Sequence, residues 1–382
     1  MTFAIDQVTV VPGAGQEVVE CATVTVDDNG TVVAIEPTDG ASVGYLIPAA
    51  VDVHLDNVRE RRRPRATVEL ALSEVIPMLD VECAAAGVGT LLVSGRFEHE
   101  PRKGVILSDA LALCELIEDL YPTLACDWYI HARVEVTDDG VIEALQQATA
   151  ASSRIKLISM MDHSAERSRF ASVEEHRQFY AADFGVSLDE IDAIIERKRD
   201  GAGNADERRR MVANIAQERS ITLVSHDDRT AAQIDDAASL GATVAEFPLS
   251  TEAARRAHEL GMSIVLGAPN AARGRSTSPG NILVADAVSD GLCDILCSDY
   301  LPSSLVRAVF RLSDDGVMAL KDGVGLLTSA ASVVGVAEPV ICVGQPLNAS
   351  LRQRVNGVDI GMALWRQGEL MYQRSRIAVR QV

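Results

Sequence analysis

The stretch from Leu46 to Asn57 is an apolar run that ends in a histidine and an aspartate two positions apart, His54 and Asp56. In a β-strand, residues i and i+2 project from the same face, so this imidazole and this carboxylate can converge on one metal ion where the strand ends. The alternative is a strand that stops in a polar turn, with His54 capping backbone groups. For an isolated pair the polar turn is the better interpretation, so the other motifs of the chain decide the matter.

Polar side chains also follow four other strand-like runs. They are Glu135, Asp162 with His163, His226 with Asp227 and Asp228, and Asp299 with Tyr300. With His54 and Asp56, these residues supply three imidazoles and several carboxylates, which suit a centre of two divalent metal ions. Zinc is the expected metal, and manganese, iron or nickel would accept the same ligands.

The elements that must position these residues alternate between strand and helix. The strand-like runs are residues 51–54, 89–93, 128–136, 155–161, 221–225, 242–247, 263–266 and 295–298. Between them, segments such as 71–86, 143–150 and 251–260 carry apolar residues at helical spacing. Eight strands within residues 48–320 match a (β/α)8 TIM barrel of about 250 residues, an α/β fold whose chemistry lies on the loops after the strands. The sequence therefore predicts that the polar strand ends share one rim.

Both ends of the chain contain short strands instead. Residues 22–26 and 32–35 flank Asp27-Asp28-Asn29-Gly30, a hairpin signal because Asn-Gly tolerates the positive φ of such turns. After position 320, short strand-like runs return at residues 352–355, 362–366 and 370–372. We expect residues 1–47 and 321–382 to form one small β-sandwich module beside the barrel.

One connection of the predicted barrel is unusually long. Residues 164–220 contain charged, helical-looking pieces at 174–184 and 188–199. A long insertion after a barrel strand is often a lid over an active site, and surface decoration is the alternative.

The composition excludes several classes of function. A net charge of −20 repels phosphate backbones and anionic membranes, so nucleic-acid and membrane partners are not expected. No apolar run has the length of a membrane span, and the first residues lack a signal peptide, which predicts a cytoplasmic protein. The seven scattered cysteines never form CxxC, which argues against disulfides and a thiolate zinc site. A homodimer is expected from base rates.

Arginines cluster in two of the predicted loops. The first cluster follows Asn57 and the second lies between Asn270 and Asn281; the members are Arg59, Arg61, Arg62, Arg63 and Arg65, then Arg273 and Arg275. Such runs are often solvated faces. Beside a metal site they favour a receptor for a phosphorylated small molecule, because guanidinium groups bind phosphate bidentately.

Six segments together resemble a known family. They are HLDN at 54–57, MDHS at 161–164, SHDD at 225–228, AEFP at 245–248, GAPNAARG at 267–274 and SDYLPSSL at 298–305. These segments are similar to those of the phosphonate-metabolism diphosphatases of the amidohydrolase superfamily, and the resemblance extends from about residue 46 to 312. The enzymes of that family hydrolyse α-D-ribose 1-methylphosphonate 5-triphosphate to the 5-phosphate and diphosphate. The resemblance implies a metal-dependent hydrolase.

The resemblance also implies a role for each matching residue. His54 and Asp56 match the metal pair of the first strand, His163 and His226 match the later histidine ligands, and Glu135 matches a bridging carboxylate. Asp299 matches the aspartate that binds one metal ion and accepts a proton from the bridging water, so it is the candidate catalytic residue. Candidate substrate-binding residues are Asn57, Asp162, Asp227, Asp228, Asn270, Arg273, Asn281 and Tyr300.

The chain departs from the family pattern at two polar positions. Leu79 stands where the family has the histidine of a His-Asp pair, and Thr277 stands where it has the histidine of a GSHSGN segment. The GKRADLVL-like strand near the C-terminus is also absent. Because the metal set is intact, we infer a paralogue that keeps hydrolytic chemistry and acts on another phosphorylated or nucleotide-like substrate.

Other histidines and a lysine are set aside. His99, His176 and His258 lie away from strand ends and are expected at the surface, while His131 and Lys156 lie early in their strands, nearer the stability face. The leading hypothesis is cleavage of a phosphoric-anhydride bond in a ribose-like or nucleotide substrate. A deaminase or amide hydrolase with the same metals, and a binding protein without turnover, are the alternatives.

Overall fold

The structure is a computed structural model, and it describes residues 2–65, 67–101, 104–164, 167, 170, 172–276, 280–374 and 379–381. The first strands are β1 Phe3–Val10, β2 Val19–Val26, β3 Val32–Pro37 and β4 Gly44–Pro48. The next eight are β5 Ala50–Leu55, β6 Val88–Phe97, β7 Asp127–Glu135, β8 Ile155–Met161, β9 Thr222–His226, β10 Val244–Glu246, β11 Ser263–Gly267 and β12 Ile295–Cys297. The last are β13 Ala349–Val355, β14 Val358–Arg366, β15 Glu369–Gln373 and β16 Val379–Gln381.

Helices connect and cover the strands. In the first half of the chain they are α1 Val58–Arg62, α2 Leu72–Ala86, α3 Leu107–Leu120, α4 Val141–Ala151, α5 Val173–Phe184, α6 Leu188–Ala202 and α7 Ala205–Arg219. In the second half they are α8 Ala231–Ser239, α9 Thr251–Glu259, α10 Ala268–Arg273, α11 Val284–Ser289, α12 Ser304–Asp314, α13 Leu320–Gly323, α14 Gly325–Thr328 and α15 Ala330–Val334.

Strands β5 to β12 form a parallel sheet in chain order, with each strand paired to the next. A parallel bridge between Leu55 and Asp299 closes the sheet, so the first and last strands meet. Every residue of β5 is buried, as expected for a parallel strand covered on both faces. The predicted TIM barrel is confirmed, and each of its eight predicted strands is present.

The two ends of the chain form a second eight-stranded sheet, in the order β15-β14-β13-β4-β1-β2-β3 with β16 also paired to β1. Phe3 on β1 stacks on Trp365 of β14 at a ring-centroid distance of 6.2 Å, although two strands separate β1 from β14. In a flat sheet these strands would be roughly 14 Å apart. The sheet is therefore folded over a core of its own, as the predicted β-sandwich module requires.

Three short helices, α13 to α15, follow α12 and precede β13, the next strand of the module. Ala330, Ala331 and Val334 of α15 pack in the cluster that fills the barrel, together with Val51 and Val53 of β5. Residues of α15 thus pack with the barrel strands, and the division at residue 320 stays a prediction. No helix in the described part of the chain is long and apolar enough to cross a membrane.

Candidate metal centre

A cavity of about 250 Å³ opens at the carboxyl ends of the barrel strands. Its wall includes the side chains of His54, Asp56, Arg59, Arg96, Arg133, His163, His226, Asp227, Asn270, Asn281, Asp299 and Tyr300. Most of the predicted metal ligands therefore meet in one place, as expected for strand ends on one rim.

Glu246, at the end of β10, joins two of the imidazoles. Its two carboxylate oxygens accept from Nδ1 of His54 and from Nδ1 of His226, each at 2.7 Å. Burial alone would raise the pKa of Glu246, but its interactions with His54, His131 and His226 hold that pKa well below its usual range. With both Nδ1 atoms donating to Glu246, Nε2 is the nitrogen of each ring that could bind a metal ion, as is usual for metal-binding histidines. The Nε2 of His226 also lies 3.1 Å from Nη2 of Arg133.

Glu135, at the end of β7, orients the third imidazole. Its Oε2 lies 2.6 Å from Nδ1 of His163, and its Oε1 accepts a hydrogen bond from the hydroxyl of Thr137 at 2.5 Å. Burial alone would raise the pKa of Glu135, but Lys198 and His163 lower it below its ordinary value. Glu135 thus positions His163, and its bridging role stays a prediction.

One set of ligand atoms fits a divalent cation. Atoms of His163, His226 and Asp227 lie within 4.8 Å of one another, and all three residues line the cavity. Two imidazoles and a carboxylate are a ligand set that zinc and neighbouring divalent metals accept. Asp227 therefore lies in a group that could hold a metal ion, and its substrate-binding role stays a prediction.

Arg133 stands between two of the predicted ligands. Its Nη1 donates to the carboxylate of Asp56, and its Nη2 lies 3.1 Å from Nε2 of His226. The guanidinium is 4% exposed, so this contact is internal. The charge of Asp56 is thus already offset by the protein, and an ion bound by Asp56 or by Nε2 of His226 would require the guanidinium to move.

Backbone strain marks the strand ends of the site. Asp227, Phe247 and Asp299 have positive φ angles of 56°, 52° and 55°. A bulky residue such as Phe247 rarely adopts this conformation, which persists where the surrounding structure enforces it and is common at functional sites. Asp299 also closes the barrel, since its amide donates to His54 and its carbonyl accepts from Asp56. The predicted catalytic side chain is therefore placed by the barrel seam.

The predicted substrate-binding residues divide into two groups. Asn270, Asn281 and Tyr300 line the cavity, while Asn57, Asp162, Asp228 and Arg273 do not. Asn270 also holds its loop, donating to the carbonyl of Ile282 and accepting from the amide of Val284. These roles stay predictions for the first group.

The second group has structural contacts. The amide of Asn57 donates to the carbonyl of Tyr300 at 3.3 Å, and Asp162 accepts from the amide of Ser164 at 3.0 Å. Asp228 is buried, and burial raises its pKa. Arg273 is exposed and donates to the hydroxyl of Tyr300 at 3.3 Å, which leaves it at the mouth of the cavity.

Most arginines of the first cluster do not face the cavity. Arg61 pairs with Glu82, Arg62 pairs with Asp109, and Arg63 pairs with Glu69. Of the five, Arg59 lines the cavity. Of the anion receptor predicted from this cluster, only the part played by Arg59 is compatible with the described contacts.

Two histidines were misplaced by the sequence argument. His131 is fully buried, and its ring meets His54 edge-on at a centroid distance of 5.3 Å, so it lies at the site rather than near the opposite face. Burial lowers the pKa of His131 to about 3. His176 is also buried, packed on the ring of Tyr180 at 4.6 Å, because α5 turns it inward.

Three residues at the site are not among those predicted from the sequence: Arg96, Arg133 and Glu246. Arg96 and Arg133 stand two positions before Glu98 and Glu135, so period-two alternation places each arginine on the face that carries that carboxylate. Glu246 lies in the AEFP segment, which ends a predicted strand. These signals were present in the sequence.

The departures from the family pattern lie in different places. Leu79 is buried in the core between α2 and the barrel, away from the cavity. Its neighbour Asp80 accepts hydrogen bonds from the indole of Trp128 and from the amides of Ala125 and Cys126. This pair is structural here. Thr277 lies outside the described residues.

The long insertion reaches the cavity. Phe179 and Tyr180 of α5 line it, and Lys198 of α6 is buried beside Glu135, Asp138 and Glu98 at 3.5, 3.5 and 3.9 Å. Burial alone would lower the pKa of Lys198, but these carboxylates raise it. The contacts favour a lid over surface decoration.

Comparison with known proteins agrees with this geometry. No family model matches the chain. The α-D-ribose 1-methylphosphonate 5-triphosphate diphosphatase of Escherichia coli (strain K12) is 29% identical over 346 residues, which cover 88% of this chain and 90% of that protein. The predicted resemblance to this diphosphatase is confirmed.

Solved structures share the fold at low identity. A D-hydantoinase from Bacillus sp. AR9 matches with a TM-score of 0.58 and 12% identity, over 96% of this chain and 94% of that one. A β-aspartyl dipeptidase from Fervidobacterium islandicum AW-1 matches with a TM-score of 0.56 and 14% identity, over 98% and 97% of the two chains. An N-acetylglucosamine-6-phosphate deacetylase from Thermotoga maritima matches with a TM-score of 0.55 and 11% identity, over 97% and 100%.

Proposed function

We propose that this protein is a metal-dependent hydrolase that cleaves a phosphoric-anhydride bond of a phosphorylated ribose-like or nucleotide substrate. The observation that carries the proposal is a cavity in which carboxylate-oriented imidazoles lie beside buried guanidinium groups. The sequence likeness to a diphosphatase and the shared fold support the same enzyme class.

The residues fit a divalent ion on one side of the cavity. His163, His226 and Asp227 would hold it, with Glu135 and Glu246 fixing the two rings. A bound ion would lower the pKa of a water molecule and offset phosphate charge. The predicted second ion would use His54, Asp56 and Asp299, and the contact between Asp56 and Arg133 opposes its binding.

The protein groups supply the remaining chemistry. Asp299 would accept the proton of the attacking water, since its carboxylate borders the cavity close to Gly267. Arg133 and Arg96 would offset charge on the phosphoryl oxygens, which in a cavity shielded from water is worth more than at the surface. The proposed substrate is accordingly a small anionic molecule. The homodimer and the cytoplasmic location expected from the sequence stay predictions.

Product analysis tests the proposal. Metal-loaded protein would be incubated with nucleoside triphosphates and ribosyl triphosphates, and diphosphate and ammonia would be measured separately. We expect diphosphate without ammonia, and none from the Asp299→Asn variant purified in parallel. Ammonia release without diphosphate would overturn the proposal.

A second candidate is hydrolysis of a C–N bond at the same centre. The observation that favours it is the fold shared with a hydantoinase and a dipeptidase. The guanidinium groups in the cavity favour the anhydride, because a neutral amide substrate gives them no anionic partner.

A further inference from the structure

We infer that Arg96, together with Arg59, forms an anion subsite in the cavity wall that binds a second phosphoryl group of the substrate. This group would adjoin the phosphoryl group at the imidazole cluster. The inference rests on the proposed function and names the part of the substrate that reaches beyond the metal cluster.

Arg96 is a half-buried arginine with a buried donor, its Nε, that makes no hydrogen bond among the described residues. The Nε of Arg96 lies 3.7 Å from a carboxylate oxygen of Glu98, and its Nη2 lies 3.9 Å from one of Asp56. Both distances are too long for a hydrogen bond, and the side chain is only 16% exposed to solvent. A buried donor left without a partner costs about 1–3 kcal/mol, which an oxyanion in the cavity would recover.

Arg133 has fewer open donors than Arg96. The Nε of Arg133 also lacks a partner among the described residues, but its Nη1 already donates to Asp56. Both guanidinium groups lie beside Asp56, but Asp56 accepts a hydrogen bond from Arg133 and not from Arg96. The N–H donors of Arg96 can therefore bind a ligand while its positive charge stays close to Asp56. Arg96 lies beside Asp56, Asp56 accepts from Arg133, and Arg133 contacts His226. The subsite and the candidate metal ligands therefore line the same cavity.

Arg59 faces the subsite from the loop after β5. It lines the cavity with Arg96, and both also line a smaller adjoining cavity of about 50 Å³. The Nε of Arg59 donates to Glu60 at 2.8 Å, and its side chain is largely buried. Two guanidinium groups from neighbouring elements form the kind of fork that binds a tetrahedral oxyanion bidentately.

Binding of two probes to the metal-loaded protein tests the subsite without turnover. Imidodiphosphate carries two phosphoryl groups on a bridge that resists hydrolysis, and inorganic phosphate carries one. We expect Arg96→Gln to weaken imidodiphosphate binding by about 10- to 100-fold in calorimetry, since each charged hydrogen bond contributes about 1.5–3 kcal/mol. The dissociation constant of inorganic phosphate should change by less than about threefold, because phosphate would bind at the imidazole cluster and not at Arg96.

Controls separate the subsite from general effects. Arg61→Gln removes a neighbouring arginine that pairs with Glu82 outside the cavity, and it should leave both probes unchanged. Arg96→Lys keeps the charge without the planar fork and should give an intermediate loss, which keeps the test valid if Arg96→Gln fails to fold. Equal weakening of both probes, or no weakening, would overturn the subsite. Because no bond is cleaved, these outcomes stand whatever reaction the protein performs.

Discussion

At the scale of single residues, the site depends on carboxylates that hold imidazole rings. Glu246 is 1% exposed and accepts from two histidines on different strands, so it fixes the angle between His54 and His226. The two rings are nearly parallel, with an interplanar angle of 10° and a centroid distance of 6.1 Å. A residue of this kind shapes metal binding although it need not touch the ion.

Glu246→Gln should therefore weaken metal binding. The amide can accept from one ring and leaves the other without an acceptor, so we expect the metal dissociation constant to rise by about 10- to 100-fold. Competition with a chelator of known affinity measures it. Glu338→Gln is the control, because Glu338 accepts a hydrogen bond from Thr328 and does not line this cavity. Equal affinities for Glu246→Gln and the unaltered protein would contradict this role.

Asp299→Asn should remove most turnover and leave the fold intact. Asparagine tolerates the positive φ of this position, and the backbone bonds to His54 and Asp56 do not depend on the side chain. Losing the proton acceptor should lower kcat by about 10²- to 10⁴-fold. Steady-state kinetics, with circular dichroism to verify folding, measures the effect. Full activity in the variant would exclude Asp299 as the base.

The sequence predicted where the chemistry lies better than which residue does what. His54, His163, His226 and Asp299 meet in the cavity because each ends a barrel strand. Contacts that cross from strand to strand, such as those of Glu246, were not predictable, since they depend on which side chains approach across the barrel. Arg133 was missed for the same reason.

At the scale of elements, the insertion after β8 is held over the site by one buried cation. Lys198 of α6 contacts Glu135, which in turn contacts His163. The lid and the metal cluster therefore share a carboxylate, which connects movement of α5 and α6 to the position of His163.

Lys198→Met should loosen the lid. Removing the cation leaves Glu98, Glu135 and Asp138 buried without it, at a cost of about 3–5 kcal/mol for breaking a buried ion pair. Hydrogen exchange in α5 and α6 should speed up, and chemical denaturation should report lower stability. Arg199→Met is the matched control, because Arg199 forms an exposed pair with Glu196 and should change stability by less than about 0.5 kcal/mol. Slow exchange in both variants would refute the anchoring role.

The elements themselves followed closely from the sequence. The barrel strands are apolar runs rich in β-branched residues, and burial on both faces makes such runs continuous. The helices of the insertion begin at serine caps, Ser172 and Ser187, whose hydroxyls accept from the third amide of each helix. Residues 320–334, which the sequence places in the β module, form the short helices α13 to α15.

At the scale of the whole molecule, the terminal module is joined tightly to the barrel. Gly361 of β14 packs on the backbone of α2, where an added Cβ would lie 1.9 Å from the carbonyl oxygen of Ala85. Any side chain at position 361 would collide with α2 unless the backbone moved. The spacing between β14 of the terminal module and α2 of the barrel is therefore set by this glycine.

Gly361→Ala should push β14 slightly away from α2 and destabilise the protein. We expect a loss of about 1–3 kcal/mol, typical of overpacking, visible as a lower unfolding midpoint in calorimetry. Gly95→Ala is the control, because its Cβ would meet side-chain atoms no closer than 3.4 Å. Equal midpoints for the two variants would show that the joint accommodates the added methyl group.

The strong negative charge of the molecule sets the background for its ligand. With a net charge of −20, an anionic substrate is attracted only where guanidinium groups and a bound cation reverse the local field. The cavity concentrates these groups at one end of the barrel. Its anion selectivity is therefore local to this rim.

The central claim is that His163, His226 and Asp227 hold a divalent cation in this cavity. Anomalous diffraction from crystals of the zinc- or manganese-loaded protein, collected at the absorption edge of the metal, locates the ion directly. We expect a strong peak in contact with these three residues, with Glu246 and Glu135 still on the outer nitrogens of the rings. A peak elsewhere on the protein, with none in the cavity, would contradict the account.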